Sequence, residues 1–135
     1  MTGLNIQAPW STLLINGQKS VETRSYRLPQ RLEGVELALI ETPGKSAKFK
    51  SRIIGTITFS SCVQYSSKEQ WQADNGRHKV DINDRLYGWK DKPKFGWVVK
   101  SVKKFENPVD PPAKRGIIYA KDCLLENNYD LSTIY

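Results

Sequence analysis

The run Ile53-Ile54-Gly55-Thr56-Ile57-Thr58-Phe59 limits the fold more than any other stretch of the chain. Its β-branched side chains lose rotamer freedom in a helix and pack well on a pleated surface, so it reads as a strand. Gly55 inside it marks a bulge or the close approach of another backbone. Val35-Glu36-Leu37-Ala38-Leu39-Ile40-Glu41 sets Val35, Leu37 and Leu39 on one face, which is a strand with one side in a core. Gly96-Trp97-Val98-Val99-Lys100-Ser101-Val102-Lys103-Lys104-Phe105 is longer and alternates imperfectly, as a bulged strand does. Residues 1–8, through Leu4 and Ile6, and Gly116 to Ala120 add shorter extended segments.

Helical signals are brief and fall between these strands. Pro9 suits a first helical position, Trp10, Leu13 and Leu14 follow at helical spacing, and Gly17 stops the turn, which predicts a helix over 9–16. Ser66 and Ser67, with Glu69 and Gln70 three residues on, form two overlapping capping boxes for a helix running through Trp71. Asp74-Asn75-Gly76 reads as a turn, and Asp84 as the cap of a helical turn holding Leu86 and Tyr87. These features lie in an irregular stretch between two strands, of the kind that forms lids or binding loops. Asn107-Pro108-Val109-Asp110-Pro111-Pro112 is expected to leave the sheet as a rigid linker, and the chain after Leu125 to be loose.

Strands and helices do not alternate as βαβ units, which excludes a doubly wound sheet. The expected fold class is α+β, a small mixed β-barrel of about five or six strands with two or three short helices inserted. The 135 residues suit a single domain over 1–135, with a core over about 4–125 and a polar tail.

Cys62, Cys123 and the single His78 lack metal-ligand spacing, so no metal and no cofactor are expected, and His78 in its polar loop is read as a surface residue. No apolar run approaches the roughly 18 residues of a membrane span, and with no leader pattern at Met1 the expected location is the cytoplasm. The net charge of +7 and a pI near 9.5 create a field that attracts polyanions, nucleic acid foremost. Lys45, Lys48, Lys50 and Arg52 crowd one segment. Lys90, Lys92, Lys94, Lys100, Lys103 and Lys104 crowd another, interleaved with Trp89, Phe95 and Trp97, a pairing that suits phosphate contact with base stacking. Lys45, Lys48, Lys50, Lys100, Lys103 and Lys104 are the candidate phosphate contacts.

Gly17-Gln18-Lys19-Ser20-Val21-Glu22-Thr23-Arg24 places three charges directly after the first helix. In an extended run Glu22 and Arg24 share one face and Val21 and Thr23 the other. Lys19, Glu22 and Arg24 then form either a ligand cleft or a structural pair with a solvated lysine. Trp10 is read chiefly as core and otherwise as a stacking platform. Tyr26 and Trp97 either line the cleft or pack the core, and Arg115 is a candidate for reaching phosphate.

The Pro-Trp helix, the Gly-x-Lys-x-x-Glu-x-Arg pattern, the strand after Gly34, the Gly96-Trp97 strand and the turn after Pro108 together resemble the ASCH domain, within the PUA-like superfamily. The resemblance implies a small barrel with a cleft beside the motif, and RNA or a modified nucleoside as partner. Some members are amidohydrolases acting on acetylated cytidine, and others are described as ribonucleases. In the amidohydrolase branch a threonine nucleophile stands three residues after the lysine. Lys19 matches the lysine, but Glu22 occupies the threonine position and a carboxylate does not repeat that hydroxyl chemistry. If the chain is an enzyme, Lys19 and Glu22 are its candidate acid/base pair.

Overall fold

The computed structural model describes residues 1–44 and 49–110 in full, and the backbone of 117–120 and 129–134. The elements are β1 (Thr2–Gln7), α1 (Trp10–Ile15), β2 (Val21–Arg24), a 3-10 turn (Gln30–Leu32), β3 (Glu36–Thr42), β4 (Arg52–Tyr65), α2 (Lys68–Ala73), α3 (Asn75–His78), β5 (Lys94–Val109), β6 (Ile117–Ala120) and β7 (Tyr129–Ile134). One seven-stranded sheet has the order β2-β5-β4-β3-β1-β7-β6. Strands β1 to β5 curl into a half-barrel with the three short helices, the small mixed α+β fold expected. β1 runs parallel to both β3 and β7, while the remaining pairs are antiparallel.

The long antiparallel β4–β5 ribbon is the spine of the sheet, and its register slips at Ile53/Gly55 and again around Phe59. Gly55 is required there, because a Cβ would stand 2.2 Å from the Lys103 carbonyl oxygen and 2.7 Å from Ile15 Cδ1. The glycine thus lets α1 and β5 close on the same point. The main core lies against this ribbon: Leu4, Ile6, Leu14, Leu37, Leu39, Ile57, Phe59 and Trp97 are buried together. Phe59 meets Trp97 edge-on at 5.4 Å. Burying side chains of this size contributes roughly 2–3 kcal/mol each. A second cluster of Tyr65, Trp71 and Val80 packs α2 and the following loop on the far end of β4.

Local chemistry explains the helices. Ser67 caps α2 by accepting from the Gln70 N–H at 3.2 Å, and the Gln70 side chain accepts from the Ser66 N–H at 2.8 Å. Ser11 on α1 is buried and donates to the Glu41 carboxylate at 2.5 Å, and Arg52 holds the other Glu41 oxygen at 2.8 Å. That buried carboxylate ties α1 to β3 and β4. Gly17, with φ of 79°, ends the helix, and the Gln18 and Lys19 N–H groups both return to the Leu13 carbonyl at 2.9 Å.

Four expectations are corrected. The Asn75-Gly76 turn is the short helix α3, ended by Lys79 in the left-handed region at φ of 64°. β5 does not stop before Pro108: it continues to Val109, which pairs with Ile53. β2 pairs with Phe95 to Val98, and beyond that point no further strand pairs with that side of β5 among the described residues, so a proline there costs no ladder bond. Residues 129–134, in the tail expected to be loose, form β7 against β1. His78 is fully buried.

Candidate functional site

The turn after Gly17 delivers Lys19 to the inside of the sheet end, and β2 carries Glu22 and Arg24 beside it. Lys19 is 1% exposed and Glu22 7% exposed. The Lys19 Nζ donates to the His78 backbone carbonyl, stands 3.8 Å from Glu22 Oε1 and lies 5.2 Å from the centre of the Trp10 ring. Arg24 donates from Nε to Glu22 Oε2 at 3.0 Å and from Nη2 to the Asn5 carbonyl at 2.8 Å, and its guanidinium rests 5.5 Å above the Trp97 ring. Burial pulls the Lys19 pKa down, Glu22 pulls it back up and Arg24 lowers it again, leaving it at about 8 instead of 10.5.

These groups floor a cavity of about 240 Å³ lined by Asn5, Ile6, Gln7, Trp10, Lys19, Glu22, Thr23, Arg24, Thr42, Val80 and Tyr87. Tyr87 stands at its mouth, donates its hydroxyl to Gln7 Oε1 and meets the Trp10 ring edge-on at 6.4 Å. The walls therefore offer aromatic surface, two amides, an ammonium and a carboxylate within one small space. No cluster of His, Cys, Asp and Glu able to hold a metal occurs among the described residues.

The carbonyl that receives Lys19 is held from behind. The His78 ring stacks on Trp71 at 4.4 Å with 7° between planes. Its Nδ1 accepts from the Val80 N–H at 3.0 Å, which leaves Nε2 to donate to the Trp71 carbonyl at 2.7 Å. The ring is thereby fixed as the neutral Nε2–H tautomer, and burial lowers its pKa accordingly. The Ser20 N–H bonds to the Arg77 carbonyl at 2.9 Å, so the motif is tied to α3 through both the Ser20 backbone and the Lys19 side chain.

Lys19, Glu22, Arg24 and Trp10 all line the cavity. Trp10 also packs on both core clusters, so it is core on one side and cavity wall on the other. Tyr26 and Trp97 do not line the cavity: Trp97 is fully buried, donates to the Tyr26 carbonyl at 3.2 Å and supports Arg24 from below, with Tyr26 packed edge-on at 5.5 Å. Lys50, Lys100, Lys103 and Lys104 are exposed, and Lys104 reaches Asn16 Oδ1 at 3.2 Å. Lys45, Lys48, Arg115 and Cys123 lie outside the described residues.

Asn5, Gln7, Thr42, Val80 and Tyr87 were missed as site residues. Only Tyr87 had a signal, the Asp84 turn inside a long irregular stretch: Asp84 Oδ1 accepts from the Leu86 and Tyr87 N–H groups at 2.9 and 2.8 Å.

The model of the ASCH domain family matches residues 4–109. The crystal structure of ASCH from Zymomonas mobilis superposes with a TM-score of 0.60 at 14% identity, covering 79% of this chain and 71% of that one. A serine-to-alanine variant of the Zymomonas mobilis protein superposes with a TM-score of 0.62 at 15% identity, over 79% of this chain and 71% of that chain. Among curated proteins no relative matches.

Proposed function

The chain belongs to the ASCH domain family, and on that premise we propose that it binds RNA or a modified nucleoside, with one base held in the cavity over Lys19, Glu22 and Arg24. The observation that carries this is the buried Lys19–Glu22 pair opening onto a space walled by Trp10 and Tyr87. At about 240 Å³ the cavity falls just below the usual 300–1,000 Å³ of sites for drug-sized ligands, which suits a single ring system. Trp10 and Tyr87 offer stacking or edge contacts, Glu22 accepts from an exocyclic amine, and Lys19 donates to a carbonyl or phosphate oxygen. Arg24, with donors engaged by Glu22 and the Asn5 carbonyl, serves chiefly to hold Glu22 in place. The exposed lysines of β5 supply sequence-independent attraction to phosphates.

Fluorescence anisotropy with labelled single-stranded RNA tests the proposal. Affinity is expected to fall steeply with added salt, and Lys19→Met is expected to weaken binding about tenfold or more, as loss of a charged hydrogen bond does. RNA and nucleoside binding that are both absent, or untouched by Lys19→Met, would refute it.

The lowered Lys19 pKa favours a second reading, hydrolysis of an acylated nucleoside. An amine with a pKa of about 8 is unprotonated in part at mildly alkaline pH, where it can take a proton from a water attacking the acyl carbonyl, with the Glu22 carboxylate 3.8 Å away. Such an enzyme would release acid from acylated cytidine with a rate rising through the Lys19 titration, and Glu22→Gln would abolish turnover without unfolding. Binding without any turnover leaves the domain as a reader alone.

A further inference from the structure

The cavity has a charged floor and a neutral rim. Its charged lining residues, Lys19, Glu22 and Arg24, are paired with one another, and Lys19 and Glu22 lie buried with Val80 at its inner end. Exposure rises towards Tyr87, which is 38% exposed, and towards the half-buried Gln7 and Thr42.

Gln7, Thr42 and Tyr87 make one connected edge of this rim. The parallel β1–β3 register sets Gln7 opposite Thr42, and the Tyr87 hydroxyl donates to Gln7 Oε1. Both strand residues are held from behind. The Ala8 N–H bonds to the Thr42 carbonyl at 2.8 Å, and Gly44, two residues on, lacks the Cβ that would run into the Gln7 amide. The edge keeps hydrogen-bonding capacity in reserve. Among the described residues the Thr42 hydroxyl makes no hydrogen bond, so it is free to donate and to accept. The Tyr87 oxygen, its proton given to Gln7, still has lone pairs with which to accept. A ligand hydroxyl needs both a donor and an acceptor and no charge, which is what this edge supplies; a phosphate would need a cation there.

We infer that Thr42 and Tyr87 read a ribose hydroxyl at the cavity rim, with Gln7 orienting the Tyr87 hydroxyl, so that the site takes a ribonucleoside, free or within RNA, in preference to its 2′-deoxy counterpart. The inference rests on the base-binding reading of the cavity. With the base over Lys19 and Glu22, the glycosidic bond leads outward and brings the sugar to the rim. The 2′-hydroxyl is the group by which a site tells RNA from DNA.

The experiment titrates the four ribonucleosides, acetylated cytidine and the 2′-deoxy counterpart of each into the wild type, Thr42→Val, Tyr87→Phe and Lys19→Met, with calorimetry as the readout. In the wild type, each ribonucleoside that binds is expected to bind about three- to tenfold more tightly than its deoxy form, the worth of one neutral hydrogen bond. Thr42→Val and Tyr87→Phe should bring that ratio close to one, because each variant keeps the shape of its side chain and loses only the hydroxyl. A purely structural role would weaken both members of a pair and leave the ratio standing. Collapse of the ratio in one variant alone assigns the contact to that side chain. Lys19→Met, at the floor, should weaken both members of every pair. Equal affinity of the wild type for ribo and deoxy forms, or a ratio that persists in both rim variants, overturns the rim assignment and leaves the cavity reading in place. If no nucleoside binds the wild type, the cavity reading falls and the rim assignment with it.

Discussion

A buried ammonium needs partners in place of water, and Lys19 donates to the His78 carbonyl with the Glu22 carboxylate and the Trp10 face close by. The remaining cost shows as a pKa of about 8 where the unfolded chain has 10.5. Between those values the unfolded chain binds a proton that the folded chain has released, so stability rises with pH across the window, by on the order of 3 kcal/mol. Urea denaturation from about pH 7 to about pH 10 should show this gain in the wild type relative to Lys19→Met. A difference between the two proteins that stays flat with pH would mean that Lys19 is hydrated. The position of Lys19, Glu22 and Arg24 was legible because a glycine stop followed by a two-residue period is a local pattern. His78 was not legible: its neighbours from Ala73 to Asn83 are polar, and its burial comes from Trp71 folding over it. Asn5, Gln7 and Thr42 have no local signature either, since the parallel β1–β3 register alone brings Gln7 beside Thr42.

At the scale of elements, the β4–β5 ribbon and α1 converge on Gly55. A methyl group there would press on the Lys103 carbonyl at 2.2 Å, and backbone cannot turn aside as a flexible side chain can. Gly55→Ala is therefore expected to destabilise the protein by about 2–4 kcal/mol, read as a lowered urea midpoint with an unchanged slope. Wild-type stability in that variant would show that the ribbon slides to accommodate the methyl. The glycine was legible as a bulge or a close approach, and it proves to be both. The extents of the strands were less legible. Pro108 argues against a strand in any sequence window, and only the shortness of β2 makes the proline harmless. Asn75-Gly76 carries turn chemistry, yet the Lys79 N–H closes onto the Asn75 carbonyl at 2.7 Å and makes a helix.

Across the whole molecule, the site is assembled from segments far apart in sequence: β1 and α1, the Lys19 turn, β2, the end of β3 and the loop before β5. The fold class was readable from strand and helix order, because that order decides which layers can form. The cavity was readable only in part, because its walls arise from pairings between strands that share no local pattern. β1 places this assembly under a constraint of timing. Held parallel between β3 and β7, it has no hairpin partner and leaves the ribosome with neither neighbour made. Asn5 and Gln7 must wait for β3, and Lys19 for the His78 carbonyl 59 residues later. During synthesis the cavity thus cannot close before β5 has been made to pair with β2, when most of the described chain is already out.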